Sequence, residues 1–117
     1  MEAPDFSFGE TTVAEDGWTV QVVVPEGCRY FEGHFPEQPI LPAIAHLALV
    51  EAVCRRVTEE DGRLGGIESI RLRQPVLPSS TLTVSISKPA GDRLRFVVRN
   101  GDKVASQGTL GWAAVAP

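Results

Sequence analysis

Cysteines, long apolar runs and nucleic-acid-binding motifs are scarce in this 117-residue sequence. Its two cysteines, Cys28 and Cys54, provide neither a disulfide framework nor a metal-ligand spacing, so they predict free thiols in a reduced, cytoplasmic protein without a metal site. No apolar run approaches the ~18 residues that span a membrane. The acidic start, MEAPDFSFGE, lacks the apolar segment of a secretory signal. With 43% apolar residues, positions 1–117 predict a single globular domain.

Basic residues are nearly absent from the first third of the chain. Residues 1–37 hold eight acids against Arg29 alone, whereas residues 62–117 hold eight bases against three acids. The C-terminal half therefore predicts either a solvated basic face or a docking face for an acidic partner. Nucleic acid is not expected as a partner, because the sequence has no basic run and a net charge of −4.

The centre of the chain combines a rigid loop with an apolar helix. The predicted loop over residues 26–41 contains Gly33-His34, and three prolines follow within seven residues, the last of them Pro42. Proline restricts its own backbone and that of the residue before it, so His34 lies in a stiff segment, as a preorganised site requires. Residues 42–60 predict a helix that is apolar, and therefore buried, on nearly every side.

Strands are predicted on both sides of this helix. Apolar residues that alternate with polar ones predict strands over residues 5–13, 18–24, 67–73, 81–88, 93–99 and 104–112. Glycines at positions 62, 65 and 66 are expected to end the helix, and Asn100-Gly101 predicts a two-residue hairpin with positive φ at both positions. The four strands after the helix are predicted to form an antiparallel meander in an α+β fold. Edge pairing of such a small sheet predicts a dimer.

Two segments resemble one known family. Residues 33–36 (GHFP) and 39–42 (PILP) resemble the signature of the hot-dog-fold 3-hydroxyacyl-acyl-carrier-protein dehydratases, and residues 67–78 (IESIRLRQPVLP) are similar to the third strand of that family. The form of the loop is most similar to the divergent dehydratases of aryl-polyene and polyketide-like pathways. The resemblance implies a hot-dog fold, with one long central helix wrapped by an antiparallel sheet of five to six strands. It also implies a homodimer or a higher oligomer of dimers.

The resemblance also implies an activity. A 3-hydroxyacyl thioester, carried on the phosphopantetheine arm of an acyl-carrier protein, is dehydrated to the 2-enoyl thioester in fatty-acid or polyketide-like synthesis, without a metal or an organic cofactor. His34 takes the position of the catalytic base that removes the C2 proton. Gly33, Phe35 and Ala43 take substrate-binding positions, and the backbone N–H of Ala43 polarises the thioester carbonyl at the helix start.

One position departs from the family pattern. Ala48 is the fourteenth residue after His34, where the family has the Glu or Asp that protonates the leaving hydroxyl from the partner subunit's helix. At about 100° per residue, Glu51 lies on the same helix face and is the candidate catalytic acid, with a pKa expected to be raised by an apolar setting. An ion pair with Arg55, four residues on, is the competing interpretation. His46 lies on the opposite face and predicts a buried histidine bonded to a backbone carbonyl.

Three functions follow from this departure. The first is an active dehydratase with an unusual acid, since the loss of one general acid slows an enzyme by about 10²–10⁴-fold without abolishing catalysis. The second is a non-catalytic or hetero-oligomeric subunit that binds acyl-carrier protein, or that pairs with a paralogous hot-dog subunit carrying the carboxylate. The third is an acyl thioesterase in which Glu37 or Glu51 acts near the thioester carbon.

Overall fold

A computed structural model of the protein describes residues 6–28, 40–58 and 62–114. In chain order the elements are β1 (Ser7–Ala14), β2 (Gly17–Val23), α1 (Ala43–Thr58), β3 (Gly62–Leu72), β4 (Thr81–Ser87), β5 (Arg93–Asn100) and β6 (Lys103–Ala114). The strands form one six-stranded sheet in the order β1-β2-β4-β5-β6-β3, and every neighbouring pair is antiparallel. The predicted architecture of one long helix against five to six antiparallel strands is confirmed.

The predicted four-stranded meander is wrong at β3. Strands β4, β5 and β6 do follow one another, but β3 pairs with β6 at the far edge of the sheet instead of with β4. Pro75 and Pro78 cannot donate to a strand ladder, so residues 73–80 do not close a hairpin. The connection instead runs past the N-terminal end of β6, where Arg73 and Gln74 donate their N–H groups to the carbonyl of Ala105 at 2.8 and 3.3 Å.

The backbone corrects two predictions, the start of β3 and the residues of the β5–β6 turn. Gly62 begins β3, and Gly66 lies where the pairing of β3 with β6 shifts register, at a φ of 155° that favours glycine. The β5–β6 hairpin is present, but Asn100 pairs with Lys103, so its turn residues are Gly101 and Asp102. Gly101 has a φ of 63°, and Asp102 does not have a positive φ. This pattern is typical of a turn that needs glycine at its first central position, not of one that needs a positive φ at both central positions.

The hydrophobic core lies between α1 and one face of the sheet. Its largest fully buried side chains come from both elements: Phe96, Leu49, Leu82, Ile86, Leu94, Leu110, Val20, Val22, Val24, Val50 and Val53. The opposite face of α1 is open, since Ile44 is 68% exposed and Ala48 and Glu51 are only half-buried. The expectation of a helix buried on nearly every side is therefore not met within one chain.

A buried hydrogen bond joins the second turn of α1 to β6. His46 Nδ1 lies 2.8 Å from Ser106 Oγ, and both residues are fully buried. Burial lowers the pKa of His46 from 6.5 to about 4, against the opposing effect of a hydrogen bond with the backbone of Leu41. The predicted burial of His46 is confirmed, and the Ser106 hydroxyl is a hydrogen-bond partner of its ring. The ring is neutral at neutral pH.

We expect His46 to make the fold sensitive to acid. The unfolded chain takes up a proton near pH 6.5 and the folded chain only near pH 4, so acid favours the unfolded state across that interval. The free energy of unfolding should fall by about 3 kcal/mol from this group alone. The effect is measured by urea unfolding of the wild type and of the double variant His46→Leu/Ser106→Ala at several pH values. The difference in the free energy of unfolding between the two proteins should become smaller as the pH falls, because only the wild type contains His46.

The control for this experiment is Ser106→Ala alone. It keeps the buried imidazole and should therefore keep most of the pH dependence, because burial is the leading cause of the shift. Parallel pH profiles for the wild type and the double variant would contradict the claim that His46 is held neutral.

Candidate functional site

The predicted catalytic base lies outside the described residues. Positions 29–39 contain Gly33, His34, Phe35 and Glu37, so the roles of these residues remain predictions. The C-terminal end of the loop is described: Leu41 N–H donates to the carbonyl of Val76 at 2.9 Å. The segment that follows the predicted base is thereby attached to the β3–β4 connection.

The start of α1 is where the family resemblance places the carbonyl-polarising N–H. The carbonyl of Pro42 accepts hydrogen bonds from Ala45 and His46 at 3.0 and 3.3 Å, which closes the first turn of α1. Ala43 is the first helical residue, so the N–H groups of Ala43 and Ile44 precede the first N–H that closes a turn of the helix. The N–H of the exposed Ala43 thus lies at the positive end of the helix dipole, where a developing negative charge is favoured.

Ala48 and Glu51 lie on the same outward face of α1, as the helical spacing predicts. The Glu51 side chain is 32% exposed, and its Oε1 lies 3.5 Å from Nη2 of Arg55. The competing interpretation of an intrahelical ion pair is confirmed. Such an exposed pair contributes only about 0.3–0.5 kcal/mol, so it does not fix the carboxylate in place. Whether Glu51 acts as an acid remains a prediction, because the carboxylate must leave Arg55 and carry a proton before it can donate one.

In the described part of the chain, burial and spacing argue against a site at the cysteines or at a metal-binding cluster. Both cysteines are buried. Burial, with a smaller contribution from the negative charge of Glu51, raises the pKa of Cys54 to about 12, so this thiol is not a nucleophile. Within residues 6–28, 40–58 and 62–114, no three His, Cys, Asp or Glu side chains are arranged to hold a metal ion. The helix over this part of the chain is not long and apolar enough to cross a membrane.

Ser106 is a polar residue that the sequence pattern does not single out. It lies on the core-facing side of β6, as Leu110 does on the same strand, and it is fully buried. The signal that points to it is a serine at an apolar position of one strand together with a single histidine on the core face of the helix. Pairing them requires knowledge that α1 packs against β6.

Comparison with known proteins places the whole arrangement in one family. The ApeI-like family model, described as ApeI dehydratase, matches residues 10–109. The 3-hydroxyacyl-[acyl-carrier-protein] dehydratase FabZ of Clostridioides difficile (strain 630) is 36% identical over 64 residues, 49% of this chain and 45% of that protein. FabZ of Roseiflexus sp. (strain RS-1) is 32% identical over 94 residues, 72% of this chain and 62% of that protein. The chain thus spans roughly half to two thirds of the length of these curated relatives.

A solved structure agrees with the sequence relatives. The dehydratase heterocomplex ApeI:P from Xenorhabdus doucetiae matches with a TM-score of 0.81 and 25% identity, over 92% of this chain and 96% of that one. The family model extends from β1 to β6 and includes the loop around His34 and the whole of α1. The chain therefore belongs to the ApeI-like dehydratase family and has the hot-dog fold.

Proposed function

We propose that the chain takes part in the dehydration of 3-hydroxyacyl thioesters on acyl-carrier protein to 2-enoyl thioesters, in fatty-acid or polyketide-like synthesis. The family match over residues 10–109 carries the proposal. The FabZ relatives, which are named as 3-hydroxyacyl-[acyl-carrier-protein] dehydratases, support the same class of substrate. In this proposal residues 1–117 act as one hot-dog domain, and Gly33 and Phe35 bind the substrate beside the base.

The proposed reaction divides the work among three groups. The imidazole of His34 removes the C2 proton, and the electron pair moves onto the thioester oxygen. The Ala43 N–H and the positive end of the helix dipole stabilise that oxygen. The electrons then return to form the C2=C3 bond as the C3–O bond breaks, and a carboxylic acid protonates the departing hydroxyl, which leaves as water.

Glu51 is the proposed acid within this chain. Ala48 has no proton to give, and Glu51 lies one turn farther along the same face, a rise of about 5 Å. Its side chain points away from the sheet and is partly exposed, so it is available to a site shared with a second subunit. The weak pair with Arg55 does not prevent this use.

We expect Glu51→Gln to reduce formation of the 2-enoyl thioester by about 10²–10⁴-fold, the contribution of one general acid. Arg55→Gln is the matched control, because it removes the ion pair but keeps the carboxyl group. The enoyl thioester absorbance, followed with 3-hydroxyacyl-carrier substrates of several chain lengths, measures the rate. If Glu51→Gln is as fast as the wild type, the acid is not Glu51, and Ala48→Glu should then increase the rate.

His34→Ala should lower the dehydration rate by at least about 10²-fold, because the proposed base is then missing and the C2 proton is not removed. The assay should record free thiol in parallel with enoyl product. Thiol release without enoyl product would replace the dehydratase proposal with the thioesterase alternative, in which Glu37 or Glu51 acts near the thioester carbon. Circular dichroism and urea unfolding of the variant establish that the fold is retained.

A second hot-dog subunit is the other proposed source of the acid. Ala48 favours this alternative, and the similar ApeI:P structure is named as a heterocomplex. β3 is an eleven-residue edge strand, and long edges of this kind are normally covered. Large apolar side chains are exposed on β3 and on the outer face of α1: Ile67 52%, Leu72 50% and Ile44 68%. We propose that a second copy or a paralogue pairs along β3 and covers this helix face.

Ile44→Glu should dissociate the assembly, because it places a charge on the helix face that the second subunit covers. Val13→Glu is the matched control: Val13 is as exposed, at 71% against 68% for Ile44, but lies on β1 at the opposite sheet edge. Size-exclusion chromatography with light scattering measures the mass of each variant, alone and after co-expression with a paralogous subunit. If the Ile44→Glu variant has the same mass in solution as the wild-type assembly, the interface lies elsewhere.

A further inference from the structure

The sheet face turned away from α1 carries a small hollow with two arginines and no carboxylate. The hollow has a volume of about 290 Å³ and crosses β3, β6 and β5. Its polar lining consists of Ser69, Arg71, Arg95, Gln107 and Thr109. Every one of these side chains is able to donate a hydrogen bond, and both arginines carry a permanent positive charge.

Strand alternation brings these side chains to one face. On β5 the flanking Leu94 and Phe96 are buried against the helix, so Arg95 projects from the opposite side. In the sheet register Thr109 of β6 lies opposite Arg95, and Gln107 of β6 lies opposite Arg71 of β3. The two arginines therefore stand on either side of β6, with an amide and a hydroxyl between them.

Neither arginine forms an ion pair within the part of the chain that the structure describes. The ion pairs there join Glu51 to Arg55 and Glu68 to Arg93. Two guanidinium groups that line one hollow repel each other, and an anion between them removes that repulsion. The planar fork of a guanidinium matches the oxygens of a phosphate or carboxylate in a bidentate geometry.

The adjoining hollow on the same face is lined by charges of both signs, so it does not favour anions over cations. It is larger, about 1050 Å³, and shares Ser69, Arg95 and Thr109 with the first. Its charged lining has both signs: Lys88, Arg93 and Arg95 with Glu15, Asp16 and Glu68. Arg95 therefore borders carboxylates in the second hollow, whereas the first hollow, to which Arg71 belongs, has only positive charges in its lining.

We propose that the hollow between Arg71 and Arg95 binds the phosphate group of a phosphate ester. The two guanidinium groups and the two neutral donors between them offer more N–H and O–H groups than the two oxygens of a carboxylate can accept from. A phosphate group has more acceptor oxygens and is therefore the better match. The volume of about 290 Å³ is at the lower end for small-ligand sites and leaves room for an ester substituent. The hollow and α1 lie on opposite sides of the sheet, so this site is separate from the proposed thioester chemistry.

Binding can be tested on the intact protein without any acyl substrate. Inorganic phosphate, 4′-phosphopantetheine and 3′,5′-ADP are titrated at constant ionic strength in chloride, and the backbone amide shifts of β3, β5 and β6 are followed by NMR. We expect saturable shifts around Arg71, Arg95 and Gln107, with the two esters bound more tightly than inorganic phosphate. The tighter of the two esters identifies the source of the phosphate.

Arg71→Gln and Arg95→Gln should each weaken ester binding about tenfold, the loss expected for one charge-assisted contact. Arg99→Gln is the matched control, an exposed arginine on β5 that does not line the hollow. The proposal is overturned if none of the three ligands produces saturable shifts, or if Arg99→Gln weakens binding as much as Arg71→Gln does. Either result leaves the dehydratase proposal untouched, because that proposal is tested by product formation.

Discussion

In the part of the chain that the structure describes, α1 packs one apolar face on the sheet and leaves its opposite face open. The face with Leu49, Val50 and Val53 is fully buried against the strands, whereas Ile44 on the opposite face is 68% exposed. Burying a side chain of this size is worth about 1.5–3 kcal/mol, so the open face favours association with a second layer. Ala48 and Glu51 lie on this open face. The proposed acid chemistry and the proposed assembly thus depend on the same surface.

Two sets of hydrogen bonds hold α1 in place on the sheet. The buried His46–Ser106 contact joins the helix to β6, and a buried polar group that lost its partner would cost about 1–3 kcal/mol. That penalty disfavours any sliding of the helix that separates the two side chains. The bond from Leu41 to Val76 fixes the chain just before the helix. Together they hold the N-terminal end of α1, where Ala43 lies, against β6 and the β3–β4 connection.

Local patterns predicted most elements of the fold, because alternation and helical spacing are properties of neighbouring residues. The position of β3 was not predictable in this way, since its partner β6 lies more than thirty residues later and Pro75 and Pro78 indicate only that the hairpin is broken. The apolar pattern of α1 predicts burial, but such a pattern does not distinguish a core within one chain from an interface with another. The Gly-His-Phe-Pro motif identified the family, but the role of His34 remains a prediction because it falls within residues 29–39.

The substitution at Ala48 has different consequences for a homodimer and for a heterodimer. A general acid worth 10²–10⁴-fold lowers the barrier by about 3–5 kcal/mol, far more than the ~0.3–0.5 kcal/mol of the Glu51–Arg55 pair that must open. In a homodimer both sites therefore benefit if Glu51 is recruited, and the two sites are equivalent. In a heterodimer, a paralogue with the family carboxylate would complete the proposed site that contains this chain's His34, whereas the other site would still receive Ala48. The number of competent sites per dimer, two or one, thus follows from which subunit supplies the acid.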